Sequence, residues 1–382
     1  MSMKYRDLGR TGLKVSEIGF GGEWLERHDE KDSIELIRYA GEKGINIIDC
    51  WMADPKSRDI IGQAIEGNRS NWIVQGHIGS TYQNGQYVRT RDMNFVKPAF
   101  EDLLTRLRTD YVDLGMIHYV DDEKDWQNCL ESDFIKYVME LKESGKIKHI
   151  GLSTHNPRIG KLAAESGLVE MIMFSINPAF DMHPATEDLD SMFGAYEENL
   201  SGIDPERAAF YRLCEEKEIG LTAMKPYFGG NLFDDKKSPF GVVFTPTQCI
   251  HYVLTRPAVA STLCGYDTKE QVDQAVAYET ASDEEKDYAS VIANSPAHSY
   301  KGMCIYCGHC KPCPMDIDIA MVSKFYDLAR SQEKVPESIQ SHYEALGVTA
   351  SSCIGCQSCE SRCPFEVKIA ERMAQAAELF GC

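Results

Sequence analysis

Cys304, Cys307, Cys310 and Cys313, then Cys353, Cys356, Cys359 and Cys363, place eight of fourteen cysteines within sixty residues. Each group reads C-x2-C-x2-C and closes on a fourth cysteine followed by proline, Pro314 or Pro364. Thiolates at i, i+3 and i+6 can wrap three corners of a cubane cluster, while the cysteine before proline points away. Two closed zinc sites would also use eight sulfurs, but they leave the interleaved third cysteine and the Cys-Pro endings without a role. Disulfides need an oxidising compartment. Nothing resembling a secretion signal precedes Lys4, and Cys50, Cys129, Cys214, Cys249, Cys264 and Cys382 are scattered. The spacing therefore predicts two 4Fe–4S clusters and one-electron chemistry.

The two runs resemble those of two-cluster ferredoxins, in which the fourth cysteine ligates the other cluster. That resemblance implies a crosswise assignment: Cys304, Cys307 and Cys310 with Cys363, and Cys353, Cys356 and Cys359 with Cys313. Two residues separate Cys310 from Cys313 where the usual bacterial run has three, which removes no ligand but alters the bend carrying Cys313.

A chain of 382 residues is too long for such a module alone and predicts a large domain plus a small one, residues 1–294 and 295–382. Its net charge of −19 argues against nucleic acid, whose phosphates want clustered Lys and Arg. No apolar run is long enough to span a bilayer. These features fit a cytoplasmic protein acting on a small-molecule substrate, with a ferredoxin- or flavodoxin-type redox partner. Exposed clusters of this kind are oxygen-sensitive, so an anaerobic source is consistent with them.

From residue 16 to about 294, short apolar runs alternate with amphipathic helical stretches. The strand-like runs are Glu17–Gly21, Ile45–Asp49, Trp72–Gly76, Tyr111–Ile117, Ile147–Leu152, Met171–Ile176, Gly220–Met224 and Val259–Leu263. Asp32–Glu42, Asn94–Leu107 and Pro205–Lys217 read as helices, the last with Asp204 as N-cap. Eight strand–helix units predict a parallel (β/α)8 TIM barrel, an α/β fold, followed by a small α-rich iron–sulfur domain. No G-x-G-x-x-G follows the first strand; Gly19-Phe20-Gly21-Gly22 is only a glycine-rich strand end. The long connection Pro178–Asp204 is a candidate lid. Helical pattern covers Ile319–Arg330, Glu337–Leu346 and Val367–Phe380 in the second domain.

Catalytic groups of a parallel barrel sit at the C-terminal ends of its strands. Asp49, His77, His118 and His155 fall there, on the second to fifth strands. Their convergence on one rim predicts function for Asp49, His77 and His118, whereas His28, His149, His251, His298 and His342 read as structural.

Several segments together resemble aldo-keto reductases. They are Tyr5 to Ser16 (YRDLGRTGLKVS), Gly44 to Asp49 (GINIID), Asp110 to Asp113 (DYVD) running to His118, Ile150 to Ser153 (IGLS) and Met224-Lys225-Pro226. The whole chain is similar to the branch of that superfamily carrying a C-terminal two-cluster domain. The resemblance implies NADPH-dependent carbonyl reduction through an aspartate, a tyrosine, a lysine and a histidine. Asp49 matches the aspartate and His118 the histidine; His77 stands at the lysine position and Asp54 at the tyrosine position. Tyr82, Tyr87, Tyr119 and Tyr227 are candidates for the missing phenol, and Arg89 and Arg91 for binding an anionic group. Ser153 matches the residue that holds the nicotinamide carboxamide. Gly265, Thr268 and Lys269 fall in the adenine-phosphate stretch, where Lys269 is the one nearby cation. NAD(P)H and flavin both stay open as cofactors.

The leading expectation is an oxidoreductase of altered mechanism. Its clusters exchange electrons with a substrate or cofactor at the barrel mouth, and His77 or His118 supplies a proton near neutrality. Asp54 ranks below the histidines, since only burial would raise its pKa enough. Two alternatives use the same residues: a metal-assisted lyase or isomerase with Asp49, His77, His118 and His155 as ligands, or a non-catalytic electron-transfer protein.

Overall fold

A computed structural model describes residues 3–382 except Trp24, Ala195, 197–199, 297–299, Ser331 and Glu333. His298 and part of the Pro178–Asp204 connection lie outside the described residues.

Eight strands close into a parallel barrel: β1 (Ile18–Gly21), β2 (Ile47–Cys50), β3 (Ile73–Ile78), β4 (Val112–Ile117), β5 (Ile147–Thr154), β6 (Met171–Ser175), β7 (Gly220–Met224) and β8 (Val259–Gly265). They neighbour each other in chain order and β8 pairs with β1. All eight predicted strands are present, with every end within two residues of its expected place. The shift that matters is in β3, which runs two residues further and takes His77 inside the strand rather than past it.

The reason the strands read as near-continuous apolar runs is that both faces are covered. Leu114, Met116, Met171, Met173 and Leu263 fill the barrel interior. Leu8 and Val15 join them from an N-terminal hairpin, Tyr5–Asp7 with Lys14–Ser16, which plugs the N-terminal end. The plug lies tight against the start of β7: Arg10 N donates to Glu218 O at 2.8 Å. A Cβ on Gly9, which has φ +51°, would sit 2.3 Å from Glu218 O, so only glycine fits that turn.

A second hairpin, Ser80–Gln83 with Gln86–Arg89, follows β3 and was absent from the sequence expectation. Its turn is Asn84-Gly85, with φ of 52° and 80°. Both residues tolerate the left-handed region that two-residue hairpin turns require. The predicted helix Pro205–Lys217 forms as Pro205–Glu216, and Asp204 caps it by accepting from Glu206 N at 2.9 Å.

Residues 300–382 contain an internal duplication. Helices Ile319–Arg330 and Ile369–Phe380 are equal in length and fifty residues apart. Left-handed backbone recurs at Tyr306 and Gly308 in the first cysteine run and at Gly355 and Gln357 in the second, then at Asp316 and Glu366. The offset grows from 49 to 50 between these pairs because the first run is one residue shorter between its third and fourth cysteines. This unit packs on the barrel's outer helices. Tyr300 donates to Pro178 O at 2.6 Å, Tyr288 to Ile305 O at 3.2 Å, and Lys324 pairs with Glu215 at 2.7 Å. One continuous apolar core runs through both parts.

Candidate active site

Alternation along β3 sends Gln75 and His77, two residues apart, to the same inward face. The β2–β3 register sets Asp49 opposite Gln75. His118 follows β4 directly and is anchored by its own N–H donating to Ile78 O at 3.1 Å. The four side chains are at most 4% exposed.

They form a hydrogen-bonded chain. Asp49 Oδ1 accepts from Gln75 Nε2 at 3.0 Å and faces His77 Nε2 at 2.9 Å. His77 Nδ1 meets His118 Nδ1 at 2.8 Å, and Tyr87 OH meets His118 Nε2 at 2.6 Å. A carboxylate only accepts, so His77 Nε2 carries a hydrogen. With His77 neutral, its Nδ1 is then an acceptor, His118 Nδ1 donates, and His118 Nε2 accepts from the phenol. Burial, reinforced by His77, Arg91, Arg89 and His155, holds His118 well below the ordinary histidine range. Burial pushes the Tyr87 phenol up to about 12, against the pull of Arg89.

The chain opens into a cleft of about 640 Å³, the size of a small-molecule site. Its walls include Trp51, Tyr119, Ser153, His155, Lys225 and Tyr266. The candidate lid contributes Leu189 and Phe193. The sequence profile of the Aldo/keto reductase family matches residues 17–245.

The chain belongs to that family. It is an oxidoreductase. It is 28% identical over 286 residues to the uncharacterized oxidoreductase YqkF of Bacillus subtilis, covering 71% of this chain and 89% of that protein. It is 34% identical over 160 residues to the aldo-keto reductase YhdN of the same organism, covering 40% of this chain and about half (47%) of YhdN. The fold matches the aldo-keto reductase AKR11C1 of Bacillus halodurans with a TM-score of 0.59 and 23% identity, over 78% of this chain and 98% of that one. The family profile ends before the cysteine runs begin.

Within this reductase the rim residues separate by position. Asp49, His77, His118, Ser153 and Gly265 line the cleft, as does His155, which faces Asp121 Oδ2 at 2.9 Å. Asp54 is not among the lining residues. It caps the helix Pro55–Ile65 by accepting from Lys56 N at 2.8 Å. Thr268 likewise caps Lys269–Val276, and Lys269 turns away to Glu35 at 3.7 Å. In that stretch the cleft is lined by Tyr266, Asp267 and Gln271 instead.

Arg89 and Arg91 both hold backbone. Arg89 donates to Tyr119 O at 2.7 Å, while Arg91 donates to His118 O at 2.7 Å and engages Asp125 through two nitrogens. Gln75 was missed because a buried glutamine carries no periodicity signal. Tyr87 stood among four candidates; the Asn84-Gly85 pair could have announced the hairpin that carries it.

Proposed function

We propose that this reductase is an iron–sulfur enzyme that reduces, or in reverse oxidises, a small carbonyl or related organic substrate in the barrel cleft. The observation that carries the reading is the buried Asp49–His77–His118 chain ending at the cleft wall. Carbonyl reduction needs a proton at the oxygen as the electrons arrive, and a hydrogen-bonded histidine pair braced by a carboxylate can supply it. His77, between Asp49 and His118, is where a cation would be best held, since its second nitrogen already faces the carboxylate. Lys225 and Ser153 also line the cleft, where a nicotinamide or another reductant could be oriented.

One of the two crosswise cysteine sets supports the cluster assignment. Cys313, Cys353, Cys356 and Cys359, the set expected from the crosswise reading, line one small cavity with Ile354 and Met373. Arg362 ties the two runs together by donating to Cys310 O at 2.8 Å and Pro312 O at 2.7 Å. Among the described residues no three His, Cys, Asp or Glu side chains converge on a single-ion site. A cubane puts each thiolate on a different iron, so its four ligands need not meet at a point. When bound, such clusters supply electrons singly.

We take residues 1–294 as the catalytic barrel and 295–382 as the cluster-binding part. The metal-assisted alternative is weakened by the Nδ1–Nδ1 contact, which occupies one nitrogen of each histidine. The decisive experiment is anaerobic purification with iron analysis and electron paramagnetic resonance. About eight irons per chain are expected, falling to about four in Cys356→Ala. Iron-free protein that still turns over an aldehyde with NAD(P)H would reject the electron-transfer part of the reading.

A further inference from the structure

We infer that Tyr87, carried by the Ser80–Arg89 hairpin, is the catalytic group that protonates the substrate oxygen, and that His118, His77 and Asp49 are positioning residues that refill it. This rests on the carbonyl reading above.

Four tyrosines compete for the role, and their partners separate them. Tyr227 donates to Cys264 Sγ at 3.1 Å. Tyr119 lines the cleft, but its ring is packed edge-on against His155 at 5.1 Å under the Arg89 guanidinium. Tyr82 is 39% exposed, lies beside Asp54 and does not line the cleft. Tyr87 both lines the cleft and touches the histidine chain, 2.6 Å from His118 Nε2. The indole of Trp51 stands edge-on to the Tyr87 ring at 5.3 Å and lies parallel to the His118 imidazole at 6.1 Å, fixing both planes.

The chain has a second, loaded arrangement that differs by one proton. In it His77 is an imidazolium, donating from Nε2 to Asp49 and from Nδ1 to His118 Nδ1. His118 then donates from Nε2 to the Tyr87 oxygen, which frees the phenolic hydrogen for the cleft. A hydride from a dihydronicotinamide, or two electrons and a proton from a low-potential one-electron donor, forms the carbon–hydrogen bond. The C=O π pair moves to oxygen, which takes the Tyr87 proton. Tyr87 takes the His118 Nε2 proton, and His118 Nδ1 takes the His77 Nδ1 proton. His77 is left neutral with Nε2–H on Asp49, which is the neutral arrangement derived above. The product gains one O–H and one C–H bond, and solvent reloads His77 between turnovers.

The test uses the full chain, purified anaerobically, with 4-(dimethylamino)cinnamaldehyde, whose absorbance moves to longer wavelength when its carbonyl accepts a strong hydrogen bond. Wild type is expected to bind the aldehyde with a red shift. Tyr87→Phe should bind it without the shift and turn it over about 100-fold or more slowly at little-changed KM. Tyr82→Phe should match wild type. His118→Gln keeps a donor for the phenol but cannot pass a proton through, so it should keep the shift while turnover collapses. A shift that survives in Tyr87→Phe overturns the assignment and leaves the carbonyl reading standing. A wild-type enzyme that neither binds nor shifts the aldehyde overturns both.

Discussion

Removing the charge of Asp49 while keeping its shape isolates what the carboxylate does. Asp49→Asn retains an oxygen within reach of Gln75 and His77, so the fold should survive. It cannot hold a cationic His77, because the balancing charge at 2.9 Å is gone. Turnover is expected to fall by about two orders of magnitude with KM nearly unchanged. Steady-state kinetics that show less than a threefold loss would mean that the histidines draw their proton from elsewhere. Asp49, His77 and His118 were legible as strand-end polar residues, since a barrel leaves few other reasons for such groups at its rim. Their order in the hydrogen-bonded chain was not, because two facing nitrogens 2.8 Å apart, one on β3 and one just past β4, depend on side-chain angles.

At the scale of single elements, Asp54 illustrates how a position can mislead. It stands where the family resemblance expects a tyrosine, yet its carboxylate accepts from Lys56 N and Ser57 N at the start of a helix. Asp54→Ala should therefore cost about 1 kcal/mol of stability, the usual effect of losing an N-cap. Asp54→Asn should cost much less. Thermal melts compare the two, and a large loss of turnover in Asp54→Asn would restore the catalytic reading. The Asp-Pro pair that signals such a cap was correctly read at Asp204-Pro205 and is repeated at Asp54-Pro55. The hairpin after β3 is the opposite case. Its strands are four residues each and polar, too short to register as apolar alternation. It nevertheless delivers Tyr87 and, through Arg89, clamps the left-handed Tyr119 carbonyl.

For the whole molecule, buried titratable groups set an acid limit. Burial, with Lys286, Arg256 and Arg6 nearby, lowers His251 to about 4, and His118 is lowered as well. A histidine with a depressed native pKa binds fewer protons folded than unfolded between that value and about 6.5. Stability should thus fall as pH drops through that window, by about 3 kcal/mol at most for His251. Glu170 extends the loss. Burial opposes ionisation, but His149, Lys142 and the Ile150 N–H bring it to about 2. Its contribution is full above about 4.5 and disappears as pH falls toward 2, on the order of 1–2 kcal/mol after solvent screening. Melting temperatures at constant ionic strength should decline steadily from pH 7 to 4. A flat profile there would show that both histidines are protonated without penalty.

The sequence alone determined the barrel, the ends of its strands, the cysteine spacing and the three polar residues at the rim. Each of these is written in local chemistry: apolar runs that alternate with amphipathic helices, or ligands at fixed intervals. Only the tertiary structure decided that Arg89 and Arg91 hold backbone and that Tyr87 meets His118. Those outcomes depend on which groups a closed barrel brings within 3 Å of each other across dozens of residues. No interval along the chain encodes that distance, because strand register and side-chain direction are settled only when the barrel closes.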